Sequence, residues 1–169
     1  MVLGRARDVE QDTGVPTGQL ALMARRGVAS DLDVGVNIHT FGADASVKWR
    51  FARSGDWAFA TLPTVGGARL RDTAVTTRSD NVFAQLPLLA TLRAKHPVTL
   101  GVKGIWGLYR PEGGGQERGT SVGAFANVDV PLGRRWHLTP ELGGFRTVSG
   151  TVPLRGYVVW LGPAVWREW

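Results

Sequence analysis

Few side chains in this sequence have the types and spacing to do chemistry. Its three histidines are His39, His96 and His137. His39 and His137 share the polar face of the alternating segments with the carboxylates Asp33, Asp44 and Glu141. With Ser46 or Ser121 as nucleophile, these would make up the parts of a Ser–His–acid hydrolase. No local motif surrounds either serine, so the reading rests on composition alone. A zinc site from His39, His137 and a carboxylate is weaker still, because neither histidine has a second ligand at a metal-binding spacing. His96 precedes Pro97 in a short turn and is expected to be solvated. Gly113-Gly114-Gly115 lacks the Gly-Lys-Ser/Thr and the following helix of a phosphate loop, and reads as a loop tip. With no cysteine among 169 residues, disulfides and Cys-ligated metals are excluded. No catalytic residue, cofactor or metal is therefore expected.

The formal charge of +6 comes from 20 Lys and Arg against 14 Asp and Glu, a balance that invites a nucleic-acid partner. The charges stand singly at alternating positions or in turns, with no basic run, so no nucleic acid is expected. Eight of them mark a possible site: Asp33, Asp44, Lys48, Arg50, Arg93, Lys103, Asp129 and Glu141.

The elements that would position these groups show period two, the signature of strands. Leu32, Val34, Val36 and Ile38 alternate with Asp33, Gly35, Asn37 and His39. Ala45, Val47, Trp49 and Phe51 alternate with Asp44, Ser46, Lys48 and Arg50. The same alternation runs from Leu20 to Arg25, Val82 to Arg93, Val98 to Tyr109, Ser121 to Val130 and Trp136 to Gly143. In all of these segments the apolar parity is free of charge, so one face of the sheet meets an apolar medium throughout. Two segments are less regular. Trp57 to about Leu70 is apolar on both faces at first. Leu154–Trp169 puts Arg155 and Arg167 on the parity of Val159, Leu161 and Val165, which a bulge would resolve.

Alternation does not say which face is inside. A soluble lipocalin-like barrel would turn the apolar face inward to carry an apolar ligand. A membrane barrel would turn it outward. No stretch nears the roughly 20 apolar residues of a membrane helix. The segments are instead about nine to eleven residues long, enough for a tilted strand to cross a bilayer. Short connections (Gly27–Ser30, Ala52–Asp56, Ala94–Pro97, Leu132–Arg135) alternate with longer ones (Gly67–Asp80, Arg110–Gly119, Phe145–Val152), as in an up-and-down meander; Thr40–Ala43 is the short exception. Trp49, Trp57, Trp136, Trp166 and Trp169 gather near the short-turn end, as an interfacial aromatic girdle would.

The chain ends on Trp169, with Val165, Leu161, Val159 and Tyr157 at alternating positions before it. This ending resembles the C-terminal strand of small bacterial outer-membrane β-barrel proteins; Pro163 and Arg167 depart from the pattern. The resemblance implies recognition by the barrel-assembly machinery, an outer-membrane location and membrane lipid as the surrounding partner. Met1 is followed by Val-Leu-Gly-Arg-Ala-Arg with no apolar core of a signal peptide, so a mature or trimmed form is expected. The expected architecture is a single all-β domain over 1–169, an up-and-down antiparallel transmembrane β-barrel of ten strands, with eight the alternative. Residues 1–16 are poorly patterned and supply the first strand plus a loop. Leu32, Val34, Val36, Val47, Trp49, Leu86, Leu100, Val102, Val128 and Leu138 would point outward. Lys48, Arg50, Arg93 and Lys103 would pair with Asp33, Asp44, Asp129 and Glu141 across a narrow, largely plugged lumen. A structural, adhesive or narrow-pore role for a monomer follows; the soluble carrier and a membrane-embedded hydrolase are the alternatives.

Overall fold

The structure, a computed structural model, describes the backbone of residues 2–7, 15–19, 21–71, 78–134, 136–150 and 157–167. Among these residues there is no helix. The strands are β1 (Val2–Arg7), β2 (Val15–Gln19), β3 (Ala21–Ala29), β4 (Leu32–His39), β5 (Gly42–Ser54), β6 (Trp57–Thr61), β7 (Thr64–Arg71), β8 (Arg78–Leu92), β9 (Val98–Pro111), β10 (Glu117–Val128), β11 (Val130–Pro131), β12 (Trp136–Gly150) and β13 (Tyr157–Arg167).

They form one antiparallel sheet in which sequence neighbours pair. The hydrogen-bonded path is β2-β1-β13-β12-β10-β9-β8-β6-β5-β4-β3, eleven strands instead of the ten expected. β2 and β3, on either side of residue 20 in the chain, stand at the two ends of this path. β7 continues β6, since both lie between β5 and β8. The two part at Leu62 and Pro63, where Pro63 has no N–H to give the ladder. Its carbonyl still accepts from Val47 N at 3.0 Å, and Leu62 N donates to Pro87 O at 3.2 Å. β11 likewise continues β10 past Asp129, whose N–H donates to Pro97 O at 2.8 Å. The short β1 pairs with Tyr157–Leu161 on one side and Val15–Gln19 on the other.

The strands outrun the apolar alternation. β8 and β12 have 15 residues each and β9 has 14, so strand residues reach into the longer connections expected at 67–80, 110–119 and 145–152. The ladders continue on backbone hydrogen bonds where side chains no longer alternate. β13 pairs with β12 from Tyr157 to Arg167 without a register shift, so the expected bulge is absent there. Arg167 lies opposite Trp136 in the register at the strand end. Arg155 lies outside the described residues. Bulges occur instead at Gly27/Ala29, Arg50/Ala52 and Thr120/Ser121. At the tip joining β5 to β6, Gly55 has φ +55°, a value that favours glycine in a two-residue hairpin turn.

Packing follows the parity. Along β4 and β5 the polar positions are half-buried and the apolar ones exposed, from Val34 to Trp49. Of the ten residues expected outward, Val34, Val36, Val47, Trp49, Leu86, Leu100 and Val102 are exposed, and Leu32, Val128 and Leu138 are intermediate. Among the described residues, 26 large apolar side chains are exposed, whereas only Ala60 and Leu89 are buried apolar ones. The large apolar residues described therefore lie mostly on the exposed face of the sheet.

Candidate functional site

The polar parity forms the half-buried face, and cross-strand register decides its contacts. Asn37 faces Asp44 in the β4–β5 ladder, and its Nδ2 donates to the Asp44 carboxylate at 3.0 Å. His39 Nε2 lies 3.9 Å from the same carboxylate, with its side chain 7% exposed. Asn127 faces Glu141 in the β10–β12 ladder and donates to it at 3.3 Å. Asp129, at the break between β10 and β11, meets His137 Nδ1 at 3.0 Å and accepts from Thr139 Oγ1 at 3.4 Å. Ser121 and Thr147 share a bond of 3.2 Å, Thr91 and Thr99 one of 2.9 Å.

The basic members of the expected network are placed differently. Lys48 is half-buried opposite Asp33 in the ladder, within electrostatic reach of Asp33, Arg25 and Arg50. Lys103 sits with its Nζ 5.7 Å from the centre of the Phe125 ring, within electrostatic reach of Glu141. Arg50 continues the β4–β5 register one step past Leu32–Trp49, where its N–H donates to the Asp31 carbonyl at 2.9 Å. Its Nε donates to Asp31 Oδ1 at 2.7 Å and its Nη2 to the Ser30 carbonyl at 2.6 Å, while Arg53 reaches the same carboxylate at 3.1 Å. Arg93 is exposed in the turn after β8, where its N–H donates to the Asp56 carbonyl at 2.7 Å. Arg50 and Arg93 thus make their described contacts outside the set of eight charges. Asparagine, histidine and threonine supply the hydrogen bonds described for Asp44, Asp129 and Glu141. In the short turn between β3 and β4, the Arg50 hydrogen bond holds the Asp31 carboxyl below the usual carboxylate range, helped by the charges of Arg50 and Arg53.

Aromatic rings fill the space that glycines leave on this face. A Cβ on Gly101 would meet the Phe125 ring, its cross-strand partner. A Cβ on Gly66 would come within 2.6 Å of Phe83 Cζ and of Asp44 Cβ. Such aromatic–glycine pairs were not singled out in the sequence, although the register Phe125–Gly101 is the signal that finds them.

Among the described residues, the register separates each candidate serine from a histidine. Ser46 faces Gly35 while His39 faces Gly42, four register positions away or about 13 Å along the strand. Ser121 lies toward the long-loop end of β10, whereas Asp129 and His137 lie at the short-turn end. Among the described residues no three His, Asp or Glu side chains gather as a metal site. His96 is exposed in its turn.

Of the expected girdle, Trp49, Trp57 and Trp136 are exposed at the short-turn end. Trp49 and Phe51 are in contact, their ring centres 5.9 Å apart. Trp166 is the register partner of His137, which places it on the polar parity instead of with Leu161 and Val165. Trp169 lies outside the described residues. Trp106, not among those expected, is exposed on β9. Among the described residues no helix is long and apolar enough to cross a membrane, a statement that does not concern strands. No protein-family model matches the chain, and no curated protein matches its sequence.

Proposed function

We propose that this chain is an integral bacterial outer-membrane β-barrel, spanning the bilayer with its apolar face outward around a polar, largely filled interior. The observation that carries this reading is the contrast of 26 exposed large apolar side chains with two buried ones. Soluble monomers rarely expose more than a few hundred Å² of contiguous apolar surface. In lipid the same arrangement is the stable one.

Closure follows if β2 and β3, the two ends of the pairing path, are one strand over 15–29, since only residue 20 separates them. The sheet then returns on itself through β1 as ten strands, the even count of bacterial single-chain barrels. The apolar band has the right height. On β9 every outward residue from Val98 to Leu108 is uncharged. At roughly 3.3 Å per residue this run is about 33 Å long, and at a tilt of about 40° it rises about 25 Å, the height of a membrane barrel's apolar band. The exposed Trp49, Trp57 and Trp136 suit an interfacial girdle.

Within, hydrogen-bonded pairs such as Asp44 with Asn37 and Asp129 with His137, and rings such as Phe125, favour a filled interior with a structural role. Purified protein is expected to need detergent to stay monomeric, to migrate differently on a gel before and after heating, and to pass no steady current across a planar bilayer. A detergent-free soluble monomer would point to the lipocalin-like carrier. Reproducible conductance steps would replace the filled interior by a narrow pore.

A further inference from the structure

The two rims of the sheet differ. At the short-turn rim the outward strand positions carry Trp49, Trp57 and Trp136, and basic residues such as Arg93, Lys95 and Arg134 stand in the turns beyond. At the long-loop rim five exposed charges lie within the strands and on the outward parity, while Glu117 of β10 stands on the other parity and Glu112 in the connection beyond β9. Arg69 of β7, Asp80 of β8 and Arg110 of β9 are successive register partners. Arg118 of β10 lies opposite Leu108, two residues from Arg110, and Arg146 of β12 lies opposite Val122. All five are exposed. Asp80 accepts from Arg69 Nε at 2.7 Å, so that pair is internally compensated. Arg110, Arg118 and Arg146 leave a net positive arc, with apolar outward residues such as Trp106 and Val122 further along the same strands.

Guanidinium forks above an apolar wall match an amphiphile with acyl chains below and phosphate above. Arginine presents paired N–H donors at the spacing of phosphate oxygens. We propose that the long-loop rim of β9, β10 and β12 binds a membrane lipid whose headgroup carries a phosphate monoester, held by Arg110, Arg118 and Arg146. This assignment rests on the membrane reading above and gives the rim its specific lipid.

The test is lipid binding to the detergent-solubilised protein, followed by native mass spectrometry with phosphatidic acid and with phosphatidylcholine. Wild type is expected to prefer phosphatidic acid. A variant carrying Arg110→Gln, Arg118→Gln and Arg146→Gln should bind it roughly a hundredfold more weakly, each basic residue near a lipid surface contributing about a factor of five. Replacing Arg93, Lys95 and Arg134 with glutamine at the other rim should leave it little changed. In wild type alone, the preference should fade as salt is raised to about 1 M, where charges are screened within about 3 Å. Inorganic phosphate should not displace the lipid. Binding by the triple variant equal to wild type, a salt-insensitive preference, or displacement by inorganic phosphate would overturn the assignment while leaving the membrane reading standing. A protein that stays monomeric in detergent-free buffer would overturn both.

Discussion

Replacing Val102 with arginine is expected to destabilise the folded protein by about 2–4 kcal/mol when it is unfolded from lipid vesicles with denaturant. Val102 is 56% exposed and lies in the middle of the outward run of β9, between Leu88 on β8 and Ala124 on β10. By exposure alone it would be a surface position, and surface substitutions in water usually change stability by less than about 0.5 kcal/mol. The large cost is therefore specific to lipid, which offers a guanidinium neither water nor a counter-charge. Lys103, the next residue, shows that a charge on the opposite parity has a place, against Phe125 and near Glu141. Val102→Leu should be nearly neutral. A near-neutral Val102→Arg would mean that this face is in water.

A second pair of substitutions on β9 separates the two faces by packing. Gly101→Val should cost about 1–3 kcal/mol, the range for overpacking a filled site. Its Cβ would enter the Phe125 ring, and Phe125 is held opposite it by the β9–β10 register. Gly104→Val should be neutral or stabilising, because a Cβ there meets nothing within 4 Å. Valine also suits an extended backbone better than glycine does. Equal costs at both positions, read from denaturant midpoints, would contradict the parity assignment.

Parity was legible in the sequence because the charge-free positions of β4, β5, β8, β9, β10 and β12 recur with period two. Their side chains stand on the exposed face, as with Val34, Val47 and Leu100. The interior was legible only as a set of residue types. Which carboxylate meets which partner depends on register, and composition does not fix register. Asp44 therefore meets Asn37, Asp129 meets His137, and Arg50 meets Asp31 one step past Leu32–Trp49 in the β4–β5 register. The lengths of β8 and β12 were underestimated for a related reason. Near the long-loop rim, backbone pairing persists after the side-chain pattern fades.

The central claim is that alternate residues of β9 face lipid, and a nitroxide scan measures it directly. The chain contains no cysteine, so single cysteines at positions 98 to 108 can each carry one label without background. In vesicles, collision with oxygen, which concentrates in hydrocarbon, should peak at the even positions, Leu100, Val102, Gly104 and Trp106. A water-soluble nickel chelate should reach none of these four. The odd positions, from Thr99 to Gly107, should show restricted motion and low oxygen accessibility. An opposite phase, or even positions open to the nickel chelate, would contradict the account.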